Sequence, residues 1–231
     1  MYIEFIGLSG SGKTTVAKAA MAEVREHGIK SQDIFRYCAG RRKKPLPNWR
    51  NAMEPSDERL HRHMLYFWQF SSRYPSVSVD LYRASSNTPL YQSDFSLALA
   101  NVMMLKDIGH ADRLIVTDEG ILHRSAAVFA AAEDPSEFRE TLHALPLPDA
   151  LVYLRVDAQE AAQRSSGRRK PNAKPDGQTW EEFAAKQLAL FDNIAQRANA
   201  EGVPIVQTNY DSSVEDAAKA VSKLVLTQMA A

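Results

Sequence analysis

The residues from Gly7 to Thr14 read GLSGSGKT and satisfy the spacing G-x-x-x-x-G-K-[ST] at every fixed position. Each residue type has a task in holding a polyphosphate. Gly7, Gly10 and Gly12 let the backbone curl so that successive N–H groups, including those of Ser9 and Ser11, aim at phosphate oxygens. Lys13 adds a cation that reaches the outer phosphates, and the Thr14 hydroxyl is a hard oxygen ligand for Mg²⁺. Thr15 continues into a helix whose positive N-terminal end favours the same anion. By average composition the pattern arises by chance in roughly one chain in a hundred of this length.

Two further groups of residues have the types such chemistry needs. The run RLIVTD from Arg113 to Asp118 is apolar and ends in a carboxylate. An acid after a buried strand is placed to hold the Mg²⁺ of a bound nucleotide, directly or through water. Asp118 is the first choice for that acid. Glu119 beside it could serve instead, or act as a general base. Beyond Arg164 lies SSGRRKPNAKPDGQ, residues 165–178, which is polar and rich in Gly, Pro and cations. Arg164, Arg168, Arg169, Lys170 and Lys174 could neutralise the equatorial oxygens of a phosphoryl group in flight, in a loop able to act as a lid.

The surrounding elements must place these groups together. Residues 2–6, YIEFI, form a short β-rich apolar run, and residues 15–27 carry Val16, Ala20 and Val24 on one helical face with Gly28 as a stop. Strand, glycine loop and helix therefore stand in the order the motif requires. A second strand is expected near Asp33 to Cys38. After an irregular basic stretch from Arg41 to Pro55, a helix is expected over about 57–72. Leu60, Met64, Phe67, Trp68 and Ser71 form one face, the core stripe, and Arg59, His63, Tyr66 and Phe70 a second line that packs against a neighbouring helix or could line a pocket for a flat substrate. Another helix is expected over 91–108, with Tyr91, Phe95, Ala98, Val102 and Leu105 facing inward and Gly109 at its end. Helices over 122–132 and 135–144, a strand over 151–154, and capping boxes at Asp157–Glu160 and Thr179–Glu182 follow. A strand over 204–207 and a helix from Asp211 to near Met229 complete the pattern.

Strands alternating with helices predict an α/β fold, a three-layer doubly wound parallel sheet of about five strands. In such a sheet ligands sit beyond the carboxyl ends of the strands, so the glycine loop and Asp118 face one crevice. A single domain over 1–231 is expected, with an acceptor-side helical region over about 41–110 and the lid over about 165–178.

Charge is balanced at 28 basic and 28 acidic side chains, which gives no global attraction to nucleic acid or anionic membrane. The single cysteine, Cys38, leaves no partner for an internal disulfide and fits a reducing compartment. No basic, then apolar leader opens the sequence, and no apolar run is long enough to span a bilayer, so a cytoplasmic protein is expected. No N-K-x-D string of a GTPase is present; the nearest stretch, Asn172 to Asp176, carries an extra residue.

The order of these features resembles the nucleoside-monophosphate kinase group of P-loop kinases, with thymidylate kinases and deoxynucleoside kinases nearest. GLSGSGKTT, LIVTD, LVYL, the helix ending at Arg164, the basic lid and the helix from Trp180 to Asn199 carry that resemblance in sequence order. It implies a P-loop kinase fold and an ATP- and Mg²⁺-dependent phosphotransferase acting on a nucleotide, nucleoside or other small hydroxylated or phosphorylated metabolite, a sugar included. A nucleotide-binding regulatory protein is the alternative from another class. Partners would be the small-molecule acceptor and, as an open option, a second copy of the chain in a homodimer. Three positions depart from thymidylate kinases. Ser9 stands where that family has an acid, Glu119 stands where it has arginine, and no arginine between Tyr91 and Ile108 matches its acceptor-side one. The donor half of the family site therefore carries over and the acceptor half does not.

Overall fold

The computed structural model describes residues 1–40, 57–85, 98–106, 109, 112–132, 134–166, 177–208 and 212–230. Five strands form one wholly parallel sheet: β1 (Tyr2–Ile6), β2 (Lys30–Asp33), β3 (Arg113–Thr117), β4 (Ala150–Leu154) and β5 (Ile205–Thr208), in the order β2-β3-β1-β4-β5. The helices are α1 (Lys13–Glu26), α2 (Ile34–Gly40), α3 (Asp57–Arg73), α4 (Pro75–Ser85), α5 (98–106), α6 (Ile121–Ala130), α7 (Arg139–Ala144), α8 (Ala158–Ser166), α9 (Trp180–Ala200) and α10 (Val214–Ala230). A 3₁₀ turn, Pro135–Phe138, leads into α7. This is the doubly wound α/β sheet the alternation predicts.

Alternation along β1 assigns its residues to two layers. Ile3 and Phe5 join Val16, Ala20 and Val24 of α1 and Val221 and Val225 of α10 in one buried cluster. Tyr2 and Ile6 point the other way, into a larger cluster with Leu122, Val128 and Phe129 of α6 and Leu190, Phe191 and Ile194 of α9. Continuous burial of β1 and β4 fits central strands of a parallel sheet covered on both faces.

Several boundaries differ from expectation. The second strand ends at Asp33 instead of starting there. The Asp33 carboxylate accepts the N–H groups of Phe35 and Arg36 at 2.9 and 3.2 Å, so it opens α2, and Cys38 lies buried in that helix. An aspartate able to cap a helix overrides the weak strand signal that follows it. The last helix starts at Val214, because the Ser213 hydroxyl accepts from the N–H of Asp216 at 3.0 Å and caps it there. A helix that the apolar spacing did not separate, α4, begins at Pro75, where the missing N–H costs nothing.

The apolar line assigned to the core on α3 is corrected in part. Met64 is 46% and Trp68 64% exposed, while Phe70 of the second line is fully buried and packs against Tyr74 in a tilted pair with ring centroids 4.8 Å apart. With two lines of large side chains on one helix, periodicity finds the stripes but not which one faces inward. On α5, Ala98, Val102 and Leu105 are buried as expected; Tyr91 and Phe95 lie outside the described residues. The Thr179 capping box forms in full. The Thr179 hydroxyl accepts from the N–H of Glu182 at 3.2 Å, and the Glu182 carboxylate accepts from the N–H of Thr179 at 2.8 Å.

Candidate active site

The loop between β1 and α1 is built against two neighbouring backbones. Gly10 has φ +95°, and a Cβ there would lie 2.4 Å from the carbonyl oxygen of Ala161 in α8. Glycine is needed at this point for both reasons, conformation and space. The same contact brings α8 against the phosphate loop. Arg164 lies three residues beyond Ala161 in that helix. Its guanidinium pairs with Glu160 one turn earlier at 2.6 Å. Asp157 accepts the N–H of Glu160 at 2.8 Å and fixes the start of α8.

Lys13 is buried although charged. Its ammonium donates to the carbonyls of Gly7 at 2.8 Å and Leu8 at 2.9 Å, which draws the side chain back along the loop it follows. Thr14 and Thr15 at the head of α1 are exposed. The Thr14 hydroxyl donates to Oδ2 of Asp118. The expected hydroxyl and the expected strand-end acid are thus in contact across 104 positions of sequence. Two hard oxygen donors side by side at a helix N-terminus are a donor set that would suit Mg²⁺.

Glu119 is directed elsewhere. It pairs with Arg124 at 2.6 Å, and the arginine is mostly buried. Arg124 belongs to the first turn of α6, where its N–H donates to the carbonyl of Gly120 at 3.0 Å. Asp33, at the end of the neighbouring strand, has its acidity weakened, first by burial and then by the charge of Asp118. Asp33 and Asp118 therefore crowd one end of the sheet, where a cation would relieve them.

Of the expected lid residues, Arg168, Arg169, Lys170 and Lys174 lie outside the described residues. The structure brings together Gly7 to Thr14, Asp118 and the α8 helix that carries Arg164.

Sequence reasoning missed three members of this neighbourhood. Glu4, in the middle of the apolar run of β1, is fully buried, and burial pushes its carboxyl up to about 7. His123 is buried and stacks on Phe191 at 5.4 Å; burial, then the charges of Lys13 and Arg124, depress its basicity. Arg124 is the third. A carboxylate inside a five-residue apolar strand was the one visible signal for Glu4; His123 and Arg124 look like ordinary helix residues until α6 is placed.

No family model matches the chain, and no curated protein matches it. Among solved structures, it is similar to deoxyadenosine kinase from M. mycoides, determined with bound dATP, at 14% identity and a TM-score of 0.43 over 100% of each chain.

Proposed function

We propose that the protein is an ATP- and Mg²⁺-dependent phosphotransferase for a small hydroxylated or phosphorylated acceptor, a nucleotide or nucleoside in particular. The contact of Thr14 with Asp118 beside the buried, loop-bound ammonium of Lys13 carries this reading. It assembles, from two distant parts of the chain, a phosphate cradle, a cation and a hard-oxygen pair.

When bound, Mg²⁺ would draw charge from the outer phosphates of ATP. The chain's own groups would do the rest. The loop N–H groups and the α1 N-terminus hold the phosphates. Lys13 exchanges its carbonyl partners for phosphate oxygens. Asp118 and Thr14 orient the metal side. The acceptor, seated toward α3, α4 and α5, attacks the γ-phosphorus through its phosphate oxygen or through its hydroxyl, whose proton passes to water, as the bond to the bridging β–γ oxygen breaks, and ADP leaves. Arg164 and the lid cations beyond it would stabilise the equatorial oxygens.

ADP release, measured with and without a panel of acceptors and read by mass spectrometry of the products, tests this. Acceptor-dependent release that Lys13→Ala reduces by about a hundredfold or more supports it. Tight ATP binding with no acceptor dependence would identify a nucleotide-binding regulator. Within the panel, dTMP is expected to perform poorly, because Ser9 is a weaker hydrogen-bond partner for a sugar hydroxyl than an acid. Glu119, an acid paired with Arg124, also replaces the arginine of thymidylate kinases.

A further inference from the structure

Glu4 occupies a position where a carboxylate is expensive. It sits in the centre of a central strand, between apolar residues on either side, with no exposed surface. An apolar residue there would pack without that cost. Its oxygens are nevertheless all engaged. Oε1 accepts the N–H of His123 at 2.9 Å, Oε2 accepts the hydroxyl of Tyr2 at 3.2 Å, and the N–H groups of Ile121 and Leu122 also favour its charge.

Those amides are the first N–H groups of α6, and α6 has no cap of its own. Gly120, its N-cap residue, supplies no side-chain hydrogen bond. The cap comes instead from another strand, 119 positions away. Gly120 is shaped around it. Its φ of −86° is open to any residue, yet a Cβ would lie 2.4 Å from Cδ of Glu4 and 2.6 and 2.7 Å from its oxygens. What excludes a side chain at position 120 is the Glu4 carboxylate, not the backbone conformation.

The contact lies between the two arms of the site. Glu4 stands three residues before Gly7, where the phosphate loop starts, and Gly120 stands two residues after Asp118. In the β1–β3 register Glu4 faces Thr117, the residue before Asp118. We propose that Glu4 is a positioning residue of the nucleotide site: its carboxylate, seated beneath Gly120 on the amides of α6, fixes the Asp118–Gly120 turn against the phosphate loop. The role rests on the phosphotransferase reading and adds to it the element that sets the metal-side acid. It also accounts for a buried acid that packing alone would not select.

The test is a Mg²⁺ titration of binding of a fluorescent ATP analogue, run beside thermal melts, for wild type, Glu4→Ala, Glu4→Gln and Gly120→Ala. Glu4→Ala and Gly120→Ala should each raise the Mg²⁺ concentration at half-saturation about tenfold or more, because a sub-ångström shift of a ligating acid is felt strongly. Affinity for the metal-free nucleotide should stay within about twofold of wild type, since the loop is intact. Glu4→Gln keeps an oxygen toward the His123 N–H and should restore most of the wild-type titration. If Glu4→Ala fails to fold, Gly120→Ala carries the comparison, as it displaces the turn without removing the acid. Melting temperatures that fall while the Mg²⁺ titration stays at the wild-type value would reduce Glu4 to a structural cap and overturn the proposal. Wild-type protein that binds no nucleotide at all would remove the phosphotransferase reading, and the positioning role with it.

Discussion

At the residue scale, the neighbouring acids Asp118 and Glu119 are separated by their partners. Asp118 receives the Thr14 hydroxyl, whereas Glu119 is neutralised by Arg124. Asp118→Asn should therefore raise the Mg²⁺ requirement and lower the rate about a hundredfold, with a small effect on nucleotide affinity. Glu119→Gln should leave the Mg²⁺ titration within about threefold of wild type and lower stability by up to about 1 kcal/mol through the lost ion pair. A Mg²⁺ titration that moves in Glu119→Gln and stays put in Asp118→Asn would exchange the two roles. Glu4 makes a different kind of prediction. Its carboxyl is raised from the ordinary 4.5 to about 7 by burial, against the amides of α6 and the Tyr2 hydroxyl; the nearby His123 is itself held toward its neutral form by burial. Between those two values the folded chain keeps a proton that the unfolded chain has lost. Glu4 thus contributes most to stability below pH 4.5, and that contribution declines as pH rises through about 7. Glu4→Gln removes this dependence. Denaturant titrations from pH 5 to pH 8 should show the Gln variant gaining on wild type by about 2 kcal/mol. A constant difference across that range would mean that Glu4 stays ionised throughout. The glycine loop was legible because its motif fixes four of eight positions. Glu4 and Arg124 were not, because each is defined by a partner distant in sequence or hidden until α6 is placed.

At the element scale, legibility followed the strength of local signals. The capping box on α9 was read to the residue, since Thr179 and Glu182 satisfy each other without help from the rest of the fold. Thr179→Ala should cost about 1 kcal/mol, the ordinary cost of losing a cap, visible as a lower midpoint with an unchanged m-value. By contrast, the start of α2, the inward face of α3 and the separation of α4 depend on which of several adequate local options the tertiary packing selects. Trp68 illustrates this. It lies within a convincing apolar stripe of α3, yet the helix turns Phe70 to the core, where Tyr74 completes the contact. Between elements, the sharpest constraint is Gly10 against Ala161. A methyl group there meets backbone, which cannot swing aside as a side chain can. The distance between the glycine loop and α8 is set by that absence of a side chain.

At the scale of the whole molecule, one sheet serves two apolar layers. Val24 lies in the layer of α1 and α10, and Val128 in the layer of α6 and α9; both are fully buried. Val24→Ala and Val128→Ala should each cost about 2 kcal/mol, and the double variant should lose their sum within about 0.5 kcal/mol because the sites share no neighbours. A marked departure from additivity would mean that strain crosses the sheet from one layer to the other. The alternation of strands and helices was enough to foresee this sandwich, but strand order is a different matter, because it is decided by crossovers that leave no local mark. That order has a consequence for the chain as it leaves the ribosome. β1 pairs with β3 and β4, and β2 pairs with β3. The glycine loop therefore emerges well before it can be secured, since neither neighbour of β1 exists until residue 113 and beyond has been made. Until then YIEFI is an apolar ribbon with both edges open, a template for the wrong neighbour. β1 is thus open to intermolecular pairing over the roughly one hundred residues of synthesis that separate it from β3, a hazard of the nascent chain and not of the finished fold.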